Sequence, residues 1–392
     1  MYFERKIEKK IIKNIKNNDV LVLTGMRRSG KTTLLKEVYA KIPNNKIWFD
    51  FENPINIKIF EDIDFDDVYE NIINKGLDRN KRVYVFIDEA QQYSKINQVV
   101  KYLHDHYDIK FILTGSASFY LKNLFTESLA GRKKIFELFP LDFEEFLLFK
   151  KQDIEKYKKI KDKIEIKELN YEEYDKLYEE YLKWGGFPQV VLEENIKDKK
   201  DRLNEIFASY WQNEVLNLAD YKKNEKVRDL ILLFTARVGS KLDVQKISQE
   251  LGLTRATLYS YLSFLEATYL IFSVKPFSRS VDREVTGASK LYFCDNGLLR
   301  ILANVNDGQL LENAIFNQLK TKGKINYYQK RTGQEIDFIF DEVLAFEVKQ
   351  TATLGYVKNL KRLAENLKLK DWFVVSKNLT KEKENIKYAQ FI

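Results

Sequence analysis

Gly25, Gly30, Lys31 and Thr32 stand in the pattern G-x-x-x-x-G-K-T within VLVLTGMRRSGKTTLL, residues 20–35. Residues of these types at this spacing hold phosphate groups. The two glycines permit backbone torsions that a Cβ forbids. The stretch Gly25, Met26, Arg27, Arg28, Ser29, Gly30, Lys31, Thr32 and Thr33 can then turn its amides toward phosphate oxygens, helped by the positive end of the following helix. Lys31 adds a point charge near the β- and γ-phosphates, and the Thr32 hydroxyl can ligate Mg²⁺. ATP and Mg²⁺ are therefore the expected cofactors. A chance glycine-rich turn is the alternative, and the apolar run before the loop and the helical run after it argue against that.

RVYVFIDEAQ, residues 82–91, supplies a second element. Val83–Asp88 reads as a buried central strand ending in an acid. Asp88 is placed to hold Mg²⁺ through water, and Glu89 to orient and deprotonate an attacking water. A strand ending in solvated acids is the plain alternative. KFILTGSAS, residues 110–118, is another short apolar strand ending in hydroxyl residues. Ligands of open α/β sheets sit beyond the carboxyl ends of strands. Thr114 or Ser116 would then touch the γ-phosphate or the attacking water, unless they merely turn the chain.

With these elements, Glu127-Ser128-Leu129-Ala130-Gly131-Arg132 and Phe139-Pro140-Leu141 make residues 1–220 resemble prokaryotic AAA-type ATPases of the archaeal-ATPase kind. The resemblance implies an arginine near the nucleotide at Arg132, acting as a finger or sensor on the transferring phosphoryl group. It also implies assembly with further copies of the chain. A surface arginine in the basic run Arg132-Lys133-Lys134 is the competing reading.

Composition sets the limits. The chain has 392 residues, enough for two or three domains. Lysine and arginine number 66 against 58 acids, a net charge of +8 that permits contact with DNA without demanding it. Cys294 is the only cysteine, which rules out an internal disulfide and suits a reducing, cytoplasmic setting. His104 and His106 are the only histidines, too few for a histidine-based zinc site. No apolar stretch is long enough to predict a membrane span. The N-terminus is charged, has helical period and lacks the apolar core of a secretory signal.

The elements that must position these residues alternate. Strands at Val20–Thr24, Lys46–Phe51, Arg82–Asp88, Lys110–Thr114 and Ile135–Leu138 are separated by helices, which argues for a parallel sheet with helices on both faces. From Asp142 to Asp220 the pattern is helical, rich in Lys, Glu and Tyr. It reads as a solvated helical face and a lid over the nucleotide cleft.

The C-terminal third carries two further patterns. In DVQKISQELGLTRATLYSYLSFLEATYL, residues 243–270, a helix, a Gly252-Leu253 turn and a second helix capped by Thr254 form a helix-turn-helix. Leu258, Leu262 and Leu265 bury one face of the second helix. Arg255, Thr257 and Tyr259 lie off that face near its start, where a recognition helix meets DNA. A hairpin wing is expected from Ile271–Phe277 and Lys290–Cys294, with Arg279 and Arg283 between. A protein-docking role competes with DNA contact.

Finally, Asp337 in one strand and Glu347 and Lys349 on one face of the next make the D…(D/E)-x-K pattern of restriction-endonuclease-like folds. Two carboxylates there can bind Mg²⁺ and the lysine can position water. Glu312 on the preceding helix commonly completes such sites. Residues 200–392 resemble the C-terminal domain of unknown function attached to many prokaryotic AAA-type ATPases, through KLYFCDNGL (290–298), Glu312, Gly333-x-Glu335-Ile336-Asp337-Phe338 and Glu347-Val348-Lys349. An inherited sheet whose charges merely pair is the alternative.

The expected architecture is α/β throughout: a P-loop ATPase core over 1–140, a helical lid over 141–221, a winged helix-turn-helix over 222–300 and a nuclease-like domain over 301–392. The expected function is Mg-dependent ATP hydrolysis coupled to DNA. A Mg-dependent DNA nuclease with a regulatory ATPase, and a nucleotide-switched protein-interaction module, are the rivals.

Overall fold

The computed structural model describes residues 2–42, 45–115, 131–163, 165–216, 221–330, 332–382 and 384–392. The chain divides into two compact units, one of residues 1–139 with 267–269, the other of residues 140–266 with 270–392.

The first unit runs α1 (Lys6–Lys13), β1 (Val20–Thr24), α2 (Lys31–Lys41), β2 (Lys46–Asp50), α3 (Pro54–Lys58), α4 (Phe65–Ile73), β3 (Val83–Asp88), α5 (Ile96–His106), β4 (Ile109–Gly115) and β5 (Lys133–Glu137). Its strands pair in the order β2-β3-β4-β1-β5, all parallel. β1 and β4 are buried along their whole length, as central parallel strands covered on both faces must be. One face packs Val20, Val22, Val85 and Leu113 against α4 and α5. The other packs Leu21, Leu23, Phe86 and Ile112 against α1 and α2. Alternate residues of each strand thus feed opposite layers.

In the second unit come α6 (Phe143–Phe149), α7 (Ile154–Lys161), α8 (Glu168–Trp184), α9 (Pro188–Leu192), α10 (Ile196–Tyr210), α11 (Tyr221–Thr235), α12 (Val244–Leu251) and α13 (Arg255–Ala267). Then follow β6 (Ile271–Pro276), α14 (Val281–Thr286), β7 (Lys290–Phe293), α15 (Asn296–Leu302), α16 (Asp307–Leu319), β8 (Ile325–Gln329), β9 (Glu335–Phe340), β10 (Leu344–Lys349), α17 (Leu354–Leu367), β11 (Asp371–Ser376) and β12 (Ile386–Tyr388). Seven strands form one mixed sheet in the order β12-β11-β10-β9-β8-β6-β7.

Two readings of the sequence change here. The Lys/Glu/Tyr-rich helices are not a solvated face alone, because α8 buries Tyr171, Tyr174, Tyr178 and Tyr181 at helical spacing. Their hydroxyls find partners far along the chain. Tyr171 donates to the Lys377 carbonyl at 2.8 Å, and Tyr178 accepts from Gln318 at 2.9 Å. The helical region expected as a lid therefore belongs to the second unit. The expected wing also differs in its setting. β6 and β7 do pair antiparallel, but β6 continues into β8, so the hairpin is the edge of the seven-stranded sheet.

Asp295, the N-cap of α15, ties this unit together. It accepts the Gly186 amide at 2.6 Å and the Leu298 amide at 3.1 Å. Gly185 lies at φ +74°, and a Cβ there would stand 2.1 Å from the Asp295 carboxylate. Among the described residues, no helix is long and apolar enough to cross a membrane.

Candidate functional site

The phosphate loop leaves the carboxyl end of β1 and enters α2 at Gly30, the helix N-cap, at φ +99°. Gly25 sits at φ +147° with Leu138 pressed against it; a Cβ would lie 2.1 Å from the Leu138 carbonyl oxygen. The Leu138 amide in turn donates to the Thr24 carbonyl at 2.7 Å, so the strand end cannot retreat. Lys31 is buried, and its ammonium donates to the carbonyls of Gly25 at 2.9 Å and Met26 at 3.0 Å, drawing the loop into a ring. Ser29 is buried inside that ring, Arg27 is half-buried and Arg28 is exposed. Arg5, which the sequence reading passed over, donates to the Ser29 carbonyl at 3.0 Å and the Phe139 carbonyl at 2.8 Å. No sequence signal marked it, because an arginine before a helix is ordinarily solvated.

Asp88 ends β3 with its carboxylate buried. It accepts hydrogen bonds from the hydroxyls of Thr114 on β4 and Thr32 on α2. Burial raises its pKa above the ordinary carboxylate value, opposed by those two bonds. The Glu89 amide donates to the Thr114 oxygen at 3.1 Å. Glu89 itself is at φ +53°, a left-handed torsion that turns its carboxylate out of the strand direction, and Gln91 donates to that carboxylate. Strained torsions of this kind gather where geometry must be held for chemistry. Thr32 and Asp88, already in contact, form an all-oxygen donor pair of the kind Mg²⁺ takes alongside water and phosphate.

Thr114 is fully buried and committed to Asp88 and Glu89. It braces the acids and does not reach out as a sensor. Ser116 and the stretch 127–130 lie outside the described residues. Arg132 is not brought to the loop. β5 runs parallel to β1, and the Arg132 carbonyl accepts from the Val20 amide at 2.8 Å, at the start of β1. The phosphate loop begins five residues later, about 16 Å away at ~3.3 Å per strand residue. There Arg132 pairs with Asp105 at 2.9 Å.

In the second unit the expected acids do meet. Lys349 lies 2.7 Å from Glu347 and 3.6 Å from Asp337. Lys290, which the sequence reading did not single out, lies 3.5 Å from Glu312, 3.7 Å from Glu335 and 3.8 Å from Asp337. Tyr292 donates to Glu312 at 2.6 Å. Lys290 and Tyr292 share a face by the two-residue strand period, a signal that was present in KLYF. Burial, then the neighbouring Asp337, pushes Glu312 up to about 7 and Glu347 up to about 8. Among the described residues no three acidic, histidine or cysteine side chains converge closely enough to hold a metal ion. Lysine ammoniums stand between the carboxylates that were expected to share Mg²⁺, so the cluster as placed does not fit that ion.

The helix-turn-helix is formed by α12 and α13. Gly252 closes α12 at φ +60°, and the Thr254 hydroxyl accepts the Thr257 amide at 3.1 Å, capping α13. Leu258, Leu262 and Leu265 are buried, and Arg255 and Tyr259 are exposed at the helix start. Thr257 is half-buried with its hydroxyl 2.9 Å from that of Thr254. Arg279 donates to the Leu367 carbonyl at 2.9 Å, closing α17. The side chain of Arg283 lies outside the described residues.

Residues 17–147 match the AAA domain family. Residues 175–309 and 307–390 match two domains of unknown function, DUF8612 and DUF4143. An uncharacterised protein of Methanocaldococcus jannaschii is 28% identical over 385 residues, covering 93% of this chain and 82% of its own length. One from Haemophilus influenzae is 29% identical over 367 residues, covering 89% and 87%. The Walker-type ATPase structure from Pyrococcus abyssi superposes with a TM-score of 0.50 at 15% identity, over 77% of this chain and 96% of that one, which shows the fold. Residues 17–147 are thus an AAA domain, and the chain has the make-up of the prokaryotic AAA-type P-loop ATPases that carry C-terminal domains of unknown function.

Proposed function

We propose that the chain binds Mg-ATP at Gly25–Thr33 and hydrolyses it, and that turnover drives or is governed by contact with DNA. The observation that carries the first half is the bonding of Asp88 to both Thr32 and Thr114, which joins the acid-bearing strand end to the phosphate loop. Lys31 and the loop amides hold the β- and γ-phosphates. Thr32 and Asp88 would hold Mg²⁺, which neutralises charge on the phosphates when bound. Glu89, turned by its left-handed torsion, orients a water and takes its proton. The roles follow four parts: an ATPase core over 1–140, helices over 141–221, a helix-turn-helix over 222–300 and a nuclease-like part over 301–392. The protein works in the cytoplasm, with more than one copy assembled.

For the DNA half, the support is the exposed pair Arg255 and Tyr259 at the capped start of α13 and the net charge of +8. Steady-state ATP hydrolysis with and without duplex, branched and single-stranded DNA tests both halves. Hydrolysis as fast in Lys31→Ala as in wild type removes the ATPase assignment. Absence of DNA binding at low salt, where phosphate contacts are strongest, leaves a nucleotide-switched interaction module. A second reading, Mg-dependent cleavage of DNA, has in its favour the gathering of Glu312, Asp337, Glu347 and Lys349 in one cluster. Against it stands Lys290 among those carboxylates. Incubation with plasmid and Mg²⁺ or Mn²⁺ decides it, provided Asp337→Ala abolishes any cleavage seen.

A further inference from the structure

Three observations meet at Arg28. It is a non-glycine residue at φ +65°. Left-handed torsion costs an arginine about 1 kcal/mol that a glycine would not incur. Lys151 and Lys368 are also left-handed, but they follow the last turns of α6 and α17, where that torsion closes a helix. Arg28 takes it instead as the third residue of a turn in which the Ser29 amide donates to the Met26 carbonyl at 3.3 Å. Its side chain is exposed and makes no hydrogen bond or ion pair with another described residue. It also lies on the lip of the ring that Lys31 closes onto Gly25 and Met26.

Phosphoryl transfer needs a further cation. As the attacking water forms its bond to the γ-phosphorus, the bond to the bridging oxygen breaks and ADP leaves with the electron pair, spreading charge over the equatorial oxygens. Lys31 and the loop amides serve the phosphate tail from one side. Arg132 is held at the far edge of the sheet by Asp105. Arg27 is half-buried and has a partner of its own. Of the loop's two arginines, Arg28 alone is both exposed and without a partner among the described residues.

We propose that Arg28 places its guanidinium on the γ-phosphate oxygens of the nucleotide bound in its own loop, as a built-in arginine finger. The inference rests on the reading of Gly25–Thr33 as an ATP site. Arg28 takes no proton; the water's proton passes to Glu89. The left-handed torsions of residues 28 and 30 turn the loop amides inward and leave the Arg28 side chain exposed at the rim. The loop therefore carries in cis a charge that a neighbouring subunit would otherwise have to deliver.

Arg28→Gly in the full chain separates this role from a structural one, because glycine relieves the strained torsion. Hydrolysis should fall by about 100-fold or more, with affinity for a fluorescent ADP analogue within about threefold of wild type. The urea unfolding midpoint should not drop. Arg28→Lys, a point charge without the fork, should retain an intermediate rate. Hydrolysis by Arg28→Gly within about threefold of wild type overturns the proposal. So does recovery of turnover when Arg28→Gly is mixed with Lys31→Ala, which would place the arginine in a neighbour's site. A wild type no faster than Lys31→Ala would instead remove the ATPase reading, and this inference with it.

Discussion

Thr114 donates its hydroxyl hydrogen to the Asp88 carboxylate on the neighbouring strand, and the same oxygen accepts the amide of Glu89 at 3.1 Å. One side chain thus fixes the acid expected at the metal and the backbone of the acid expected at the water. Removing the hydroxyl while keeping the shape, as in Thr114→Val, leaves Asp88 with less compensation for its burial. We expect a loss of about 1–3 kcal/mol in unfolding free energy and a fall in ATP turnover of roughly tenfold or more. Urea unfolding and steady-state hydrolysis check the two. An unchanged rate would mean that Thr32 alone positions Asp88.

Gly25→Ala should be far more damaging than an ordinary glycine change. Its Cβ would stand 2.1 Å from the Leu138 carbonyl, at a torsion of +147° that alanine rarely adopts. Leu138 cannot move aside, because its amide is bonded to Thr24. We expect about 2 kcal/mol or more of destabilisation and no measurable binding of an ADP analogue. Gly252→Ala has the same left-handed requirement but open space around it, and should leave nucleotide binding at the wild-type level.

Asp295 predicts a pH dependence for the second unit. Burial raises its carboxyl to about 6, against the pull of the amides of Gly186 and Leu298. The folded state therefore holds this proton more tightly than the unfolded chain does. Its contribution to stability is full below the unfolded value near 4 and is lost as pH rises through 6, an effect of about 3 kcal/mol. Comparing urea unfolding of wild type and Asp295→Asn at several pH values isolates it. The stability difference between them should shift across pH 4–6 and be flat above 7. A difference independent of pH would show that Asp295 ionises normally.

Lys290 balances Glu312, Glu335 and Asp337, so Lys290→Met should leave buried carboxylates without their cation. At pH 8 we expect a loss of about 3 kcal/mol. Much of this should return by pH 5, since Glu312 already stands at about 7 and protonation removes the uncompensated charge. The same variant opens the space between the acids. A rise in melting temperature on adding Mn²⁺ to Lys290→Met, absent in wild type, would show that the lysine stands where a cation could bind.

The parts written in contiguous residues were legible. VLVLTGMRRSGKTT announced its strand, loop and helix, and VYVFIDEA its buried strand, because each is a local pattern of burial and torsion. Arg132 could not be placed from the sequence, because its position depends on β5 running parallel to β1, which puts the residue before that strand at the opposite end of the sheet from its own chain's loop. The tyrosines of α8 looked solvated because the lysines and glutamates around them dominate the composition, while their partners at Gln318 and Lys377 lie over a hundred residues away. Asp337, Glu347 and Lys349 were found by spacing. Lys290 escaped because it enters from a strand that pairs with none of theirs.

The Asp295 carboxylate, clasping the amide of Gly186 with one oxygen and the start of its own helix with the other, has a bearing on inheritance. A chain cut or recombined near residues 221 or 300 would strand Asp295 in one fragment and Gly186 in another, or sever the Tyr178–Gln318 pair. Each fragment would then expose buried hydrogen-bonding groups with nothing to meet them. The helices after residue 140 and the seven-stranded sheet are bound to descend as one piece.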